Sequence, residues 1–560
     1  MKLNGAQILI ECLREQGVDT IFGYPGGTVL PIYDALYDAT DIMHVTTAHE
    51  QGATHAADGY ARATGRTGVV LATSGPGATN TITGIATAYR DSVPMVVFTG
   101  QVPLKLIGKA SFQEVDIVDI TDSITKCNYL ITKVEMLAET IREAFSIARS
   151  GRPGPVLVDI PKDIQSANVE YEKKQIDTIY KNVPEKITQK DNFKFKEAID
   201  ALNNCKKPLI FAGGGIEISG ASTQLLEFAE KIKAPVTCSL MGIGSFPEDN
   251  ALFTGMLGMH GTHCSNYAAS QCDLLIAVGV RFSDRVISSK ESFAANAKVI
   301  HIDIDPVEIG KNVDVDLPLC GDLKCVLELL NANISQREYS EWNIQIEEWK
   351  TSYKPVYKEK TCLSPQYILE TLCTLSRGES IITTEVGQNQ IWTAQYYTFN
   401  EPRTFLTSGG LGTMGYGLSA AIGASFGKPD KRIINIAGDG SFKMNSIELA
   451  TISKYHIPII QIVLNNHALG MVRQWQSLFY NERFSSTDVG PDVDFVKLAQ
   501  AYGIKSVRIT LNEEFEEVIK LALSLNEPFL IECEINPDDK VSPIVPPGEP
   551  ISELINCEAL

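Results

Sequence analysis

The chain has 560 residues, 44% apolar, 21% charged and 8% aromatic, the profile of a globular protein long enough to bury several cores. A formal charge of −19 argues against general nucleic-acid binding, which needs a basic face toward phosphates, and against an anionic membrane surface as partner. No apolar run approaches the ~18 residues of a membrane span.

In chain order, the opening apolar stretch is interrupted by Glu11, Arg14 and Glu15, so it lacks a signal-peptide layout. Short apolar runs then predict strands at 68–73, 95–99, 156–160, 208–211, 274–278, 299–304, 432–437 and 459–464. They are apolar on both faces and separated by helical patterns, which indicates parallel sheets covered on two sides. Two polar stretches, 168–191 (Lys/Glu-rich) and 331–364, are predicted as linkers. The expectation is an α/β protein of three doubly wound parallel-sheet domains, 1–165, 190–340 and 365–540. A tail at 541–560 is held extended by its PIVPPGEP run. The first and third domains share a habit of strand, glycine-containing turn and helix. Twelve scattered cysteines without a CxxC pair read as reduced thiols of a cytoplasmic protein. The eight histidines form no HxxxH or HExxH pair, which argues against zinc.

The segment Gly438-Asp439-Gly440-Ser441-Phe442 follows the strand at 432–437 and precedes a helical stretch; a second strand then ends at Asn465-Asn466. In a right-handed strand–helix–strand unit both strand ends open onto one edge of the sheet, so Asp439 and Asn466 can converge. A carboxylate and an amide oxygen are hard ligands suited to Mg²⁺, and Gly438 and Gly440 let backbone approach a diphosphate. Either residue alone reads as a capping residue of an ordinary turn. Together they resemble the diphosphate–Mg²⁺ signature of thiamine-diphosphate enzymes. That resemblance asks for an acid near the cofactor's aminopyrimidine ring, and Glu50 in VTTAHEQG (45–52) meets it. A carboxylic acid sharing a proton with ring N1′ promotes loss of the thiazolium C2 proton. Alone, Glu50 is an anion favouring a helix start, worth ~0.3–1 kcal/mol.

Over nearly its whole length the chain resembles the large catalytic subunits of the acetohydroxyacid synthase (acetolactate synthase) family. The stretches carrying this include FGYPGG (22–27), TSGPGATN (73–80), SFQE (111–114), GRPGPVLVDIPKD (151–163), GMLGMHG (255–261), EVGQNQ (385–390), SGGLGTMGYG (408–417) and LGMVRQWQSLFY (469–480). The family's reaction joins pyruvate, with loss of CO₂, to a second pyruvate or to 2-ketobutyrate. The products, 2-acetolactate or 2-aceto-2-hydroxybutyrate, are intermediates of branched-chain amino acid biosynthesis.

The resemblance implies roles residue by residue. Glu50 would activate thiamine diphosphate; Asp439, Asn466 and the backbone oxygen of Ala468 would hold Mg²⁺. Met414 would prop the cofactor into its V shape. Gly27, Phe112, Gln113 and Lys162 would line the reaction pocket. Arg285 would face the second substrate's carboxylate, where a guanidinium suits bidentate pairing, and Trp475 would contact its side chain and favour 2-ketobutyrate. Further thiamine-diphosphate contacts fall on Tyr24, Pro25, Gly26, Pro76 and Asn80, then on Val386, Gly387, Gln388 and Asn389. Ser441, Leu469, Gly470, Met471 and Val472 complete that set.

FAGGG (211–215) ends a strand as a dinucleotide turn does, but Ile218 stands where the third glycine of G-x-G-x-x-G belongs, so a nicotinamide dehydrogenase is disfavoured. In the resembled family this domain holds FAD in a non-redox role. The correspondence gives Arg152, Gly213, Gly214, Gly215 and Met241 as flavin residues. With them go Gly258, Met259, His260, Gly279, Arg281, Arg285 and Asp303. FAD-free catabolic synthases differ over these segments and carry Gln at the position of Lys162, so the biosynthetic type is expected. Departures from the family's usual text are Thr28 for Ala, Ser283 for Asp, Asn389 for His and Ser419 for Pro, the last expected only to alter helix stiffness. The alternatives are a ketoacid decarboxylase, a flavin-dependent pyruvate oxidase, or a catalytically silent relative. In this family the site forms between subunits, which implies a homodimer or dimer of dimers and a separate regulatory small subunit.

Overall fold

The computed structural model describes residues 1–174, 189–353, 363–490 and 493–557. Three six-stranded sheets, every neighbouring pair parallel, make three α/β domains. The runs Gly68–Ala72, Met95–Gln101 and Pro155–Pro161 are buried at every residue, because helices cover both faces and leave no place for polar alternation. Across the first sheet the strands run Met43–Thr46, Thr20–Gly23, Gly68–Ala72, Met95–Gln101, Pro155–Pro161, Cys127–Leu130. The third sheet runs Phe405–Leu406, Ile381–Thr384, Ile433–Gly438, Ile460–Asn465, Phe529–Glu534, Lys505–Ile509. Both orders are 2-1-3-4-6-5 when strands are counted along each domain. The middle sheet differs: Phe253–Met256, Val236–Cys238, Pro208–Ala212, Leu274–Val278, Lys298–Asp303, Leu317–Cys320. Its order, 3-2-1-4-5-6, opens a crevice between the carboxyl ends of Pro208–Ala212 and Leu274–Val278, where doubly wound sheets bind ligands.

Neither predicted linker is wholly irregular. Asn168–Glu170 pairs antiparallel with Lys2–Asn4, and Ser340–Ser352 is a helix. That helix buries Trp342 and Ile346 one turn apart, with the Trp342 indole N–H donating to Pro208 O at 2.9 Å. Its two anchors sit among Glu341, Glu347, Glu348 and Lys350, which conceal a helical stripe this narrow. Residues 175–188 of the first predicted linker and 354–362 of the second lie outside the described residues, and 189–191 of the first open the helix Gln189–Asn204.

The first and third domains meet through the helices Glu50–Thr64 and Gly417–Gly427. A Cβ at Gly59 would overlap Ala420 O, and one at Gly423 would overlap Ala56 O, so each glycine allows backbone to touch backbone. Arg403 fastens all three domains: it donates to Arg62 O at 2.8 Å and to Glu217 O at 2.7 Å. Residues 541–557 return across the middle domain. Val545 N–H donates to Met259 O at 2.8 Å, and the Asn266 amide to Ile551 O at 2.8 Å. Among the described residues no helix is long and apolar enough to cross a membrane.

Candidate active site and cofactor cavity

At the carboxyl edge of the third sheet, Gly438 stands opposite Leu464 in register, so Asp439 and Asn466 emerge from neighbouring strands. Asp439 opens the helix Asp439–Asn445 and is 1% exposed, yet neither carboxylate oxygen has a hydrogen-bond partner. Burial pushes its carboxyl up to about 6, against the opposing charge of Lys443. A buried carboxylate without donors is costly, and a cation is the direct relief. Among the described residues no three His, Cys, Asp or Glu side chains converge as a metal cage, so a cation held here would draw on one carboxylate plus neutral oxygens. Asn466 turns its amide N–H toward Gln388 Oε1 at 3.3 Å and accepts from Ala468 N–H at 3.2 Å. His467, at φ 56°, makes the turn between them. A Cβ at Gly470 would overlap Gln388 Oε1, and Leu469 lies on Gly440. The loop after the second strand therefore closes over the glycine turn of the first.

A second group gathers at the edge of the first sheet. Glu50 is the first residue of its helix and is buried, and its Oε2 accepts from the Asn80 amide at 2.9 Å. Pro76 opens the short helix leading to Asn80. Gly75 (φ 61°) abuts Gln113, which itself has φ 59°. Gly26 packs on Thr73, and Gly27 O accepts from Lys162 Nζ at 2.9 Å. Tyr24 and Pro25 are exposed, and Phe112 is 87% exposed. Among the described residues no hydrogen bond or ion pair joins the Glu50 group to Asp439 or Asn466.

Where all three domains meet lies a cavity of about 2780 Å³, with Arg90, Asp91 and Arg152 of the first domain among its lining. Gly214, Gly215, Met241, Gly279, Arg281 and Asp303 form its middle-sheet wall. Val386, Gly387, Met471, Val472 and Trp475 form the opposite one. Gly213 lies behind the wall, where a Cβ would overlap Gly279 O. Gly258, at φ 118°, is pinned by the Asn266 amide at 3.0 Å on both its N–H and its carbonyl. Burial pushes Asp303 up to about 6 and His260 down to about 4. Arg152 pairs with Glu308 at 2.8 Å and donates to Ser92 Oγ. Arg285 lies over the Trp475 ring, 5.8 Å from its centroid, with Met259 Sδ 3.7 Å from Nη1. Its pairing with Asp284, at 3.9 Å between two well-exposed side chains, is too loose to hold it. Trp475 is half-buried, not a core residue. The Glu50 group contributes nothing to this cavity's lining.

Profiles of the thiamine pyrophosphate enzymes match all three domains: the N-terminal TPP binding domain at 3–120, the central domain at 195–330 and the C-terminal TPP binding domain at 385–533. The chain is 48% identical to a probable acetolactate synthase large subunit of Methanocaldococcus jannaschii, covering 99% of this chain and 95% of that protein. It is 44% identical to the acetolactate synthase isozyme 2 large subunit of Escherichia coli, covering 99% of each. Against the acetolactate synthase large subunit of Haemophilus influenzae the identity is 43%, covering 99% of this chain and 98% of that one. The chain belongs to the acetolactate synthase large-subunit family.

In this family member the loop carrying Met414 is clamped by two carboxylates that the motifs did not single out. Glu385, fully buried, accepts from Gly415 N–H at 2.8 Å, Leu418 N–H at 3.1 Å and Ser441 Oγ at 2.8 Å. Asp91 accepts from Gly409 and Gly410 N–H at 3.2 and 2.7 Å while pairing with Arg62 at 2.8 Å. Glu385 opens the stretch EVGQNQ directly after the strand Ile381–Thr384, but the resemblance gave it no role. The departures also gain local reasons. Thr28 bonds Thr73 Oγ1 at 2.9 Å and accepts from Ser74 N–H at 3.0 Å. Asn389 spends its amide N–H groups on Glu385 O and Ile436 O, at 2.8 and 2.9 Å, leaving only its oxygen toward the Gly387 turn. Ser419 is more than a change in helix stiffness: its hydroxyl accepts from the Asn445 amide, which also holds Gly415 O at 2.8 Å. Ser283 lines the cavity without capping the helix it precedes.

Proposed function

We infer that the chain is the catalytic subunit of a biosynthetic acetolactate synthase. It takes pyruvate as first substrate and pyruvate or 2-ketobutyrate as second. The observation that carries this is the donor-free Asp439 carboxylate beside Asn466, in a chain whose relatives bear that enzyme's name. The donor set of Asp439, Asn466 and the Ala468 carbonyl fits Mg²⁺, whose hard shell also accepts diphosphate oxygens. Bound thiamine diphosphate supplies a nucleophilic carbon and an electron sink. Glu50, held by Asn80, shares a proton with ring N1′, and Met414 sits on the clamped glycine loop. Lys162, set on Gly27 O, offers a cation to the first ketoacid, with Gln113 and Phe112 beside it. Arg285 takes the second ketoacid's carboxylate, and Trp475 beneath it reads the side chain.

The cavity's size, its position at the crevice of the middle sheet, and Arg152, Arg281 and Asp303 on its walls support FAD as a resident group. Among the described residues no hydrogen bond or ion pair joins the Glu50 group to Asp439 or Asn466 within one chain, and Phe112 is exposed. Both support a site shared between two subunits, Glu50 from one and Asp439 from the other. The words "large subunit" in the relatives' names support a smaller regulatory partner. The acidic surface and scattered cysteines support a cytoplasmic setting.

Purified protein with thiamine diphosphate, Mg²⁺ and pyruvate, with and without FAD, tests the reading. FAD-dependent acetolactate is the expected product. Acetolactate without FAD dependence points to the catabolic type; acetaldehyde or peroxide moves the chain to a decarboxylase or an oxidase.

A further inference from the structure

The turn that delivers Glu50 belongs to the first domain, but the third domain holds it. Ala48 and His49 donate their N–H groups to the two oxygens of Glu448, at 3.1 and 3.0 Å. Glu448 is wholly buried and also accepts from the Thr451 hydroxyl. Just upstream, Thr46 N–H donates to the Tyr455 hydroxyl at 2.9 Å, and that hydroxyl donates to His44 O at 3.4 Å. The four residues before Glu50 are thus gripped at both ends from another domain.

Gly52 supplies an independent observation. It lies inside the helix Glu50–Thr64 and has no positive φ, so its backbone does not require glycine, which costs a helix interior roughly 0.5–1 kcal/mol relative to Ala. A Cβ there would overlap Glu448 Oε1. The glycine in AHEQG is therefore the space through which the carboxylate reaches the turn. Burying a carboxylate for stability alone is a poor arrangement, since desolvation consumes most of what its bonds return; fixing a direction is what such a group does well. Glu448 also ends the stretch Asp439–Asn445, Ser446–Glu448. With the site shared between subunits, this segment starts on the carboxylate assigned to one site's cation and ends on the carboxylate that holds the Glu50 turn of the other site.

We propose that Glu448 is a positioning residue for the cofactor-activating acid: it aims Glu50 by fixing the Ala48–His49 turn to the third domain of the same chain. This rests on the reading of Glu50 given above.

The test uses full-length Glu448→Gln, which preserves size but sets an amide donor against one of two backbone donors. In cofactor-free protein, amide hydrogen exchange over residues 44–52 should quicken about tenfold or more, as expected for loss of a bond to a charged group. With thiamine diphosphate, Mg²⁺ and FAD bound, deuterium exchange at the thiazolium C2 should slow about 100-fold, the scale of a misplacement near 1 Å. The thermal midpoint should fall by no more than a few degrees, with the fold cooperative and the flavin content at the wild-type value. Wild-type exchange in both measurements overturns the proposal, as does a loss that merely tracks global unfolding. Should Glu448→Gln not fold, Tyr455→Phe removes a single hydroxyl at the same turn. It should slow C2 exchange about 3-fold to 10-fold, and an unchanged rate overturns the proposal. Glu50→Gln separates the two readings. If it leaves C2 exchange intact, the assignment of Glu50 fails; if it abolishes exchange while Glu448→Gln and Tyr455→Phe do not slow it, only the positioning role fails.

Discussion

The glycine turn of the middle domain and that of the third domain look alike in sequence and do opposite things. After Pro208–Ala212, Gly213 and Gly215 press against Gly279, itself at φ 62°, so that two loops close on each other with no room for any side chain. After Ile433–Gly438, Gly438 has ordinary φ (−82°), and a Cβ there would meet nothing nearer than Asn389 Oδ1 at 3.5 Å. The space beside it faces a carboxylate with no partner. A glycine after a strand can thus be a packing device or an opening for a ligand, and only its neighbours tell which. FAGGG lacks the third glycine of a nicotinamide fingerprint, where Ile218 stands, and two of the glycines it does have pack against the Gly279 loop.

Four substitutions break or sharpen that contrast. Asp439→Ala should have the largest effect. Removing a metal-assisting residue outside the ligand set typically costs ten-fold to a hundred-fold, so loss of the ligand itself should weaken Mg²⁺-dependent thiamine diphosphate binding by at least about 100-fold. Flavin content should hold. Titration calorimetry at fixed Mg²⁺ measures it, and wild-type affinity would remove Asp439 from the site. Gly213→Ala drives a methyl into backbone and should cost about 3 kcal/mol, read as a lowered urea midpoint with reduced flavin.

At the seam between the two regions, Glu248 accepts from Phe399 N–H at 3.0 Å, and burial pushes its carboxyl up to about 8. A raised carboxyl contributes stability below its unfolded value near 4.5 and loses it as pH climbs toward 8, at about 1.4 kcal/mol per pH unit at most. Glu248→Gln should therefore match wild type near pH 4.5 and exceed it at pH 8 in urea unfolding. A margin independent of pH would refute this. Gly438→Ala should change stability least, holding it or raising it by up to about 1 kcal/mol. It should still weaken thiamine diphosphate binding, because the methyl takes the space the diphosphate needs. Equal destabilisation by Gly213→Ala and Gly438→Ala would erase the distinction.

The parallel sheets were legible because strands covered on both faces cannot hide their apolar runs, as Gly68–Ala72 and Ile460–Asn465 show. The strand end before Asp439 and the helix start at Glu50 were legible because short-range motifs mark such places. Asp91 and Glu448 were not, and Glu385, though it opens EVGQNQ, carried no assigned role. Each acts on backbone N–H groups 30 to 400 residues away, and a backbone amide leaves no trace in residue type. Gly52 was the one local clue to Glu448, and a helical glycine names its neighbour only once the neighbour is seen. The helix Ser340–Ser352 escaped for a related reason: two anchors among charges carry too little periodicity.

The returning tail sets the timing of assembly. Met259, which touches Arg285, completes its carbonyl bond only with Val545, and Asn266 waits for Ile551, 285 residues later. On a ribosome adding about 5–20 residues each second, the middle domain can collapse long before that segment emerges. The Arg285–Trp475 corner thus rests on bonds that can form only once residues 545 and 551 have been made.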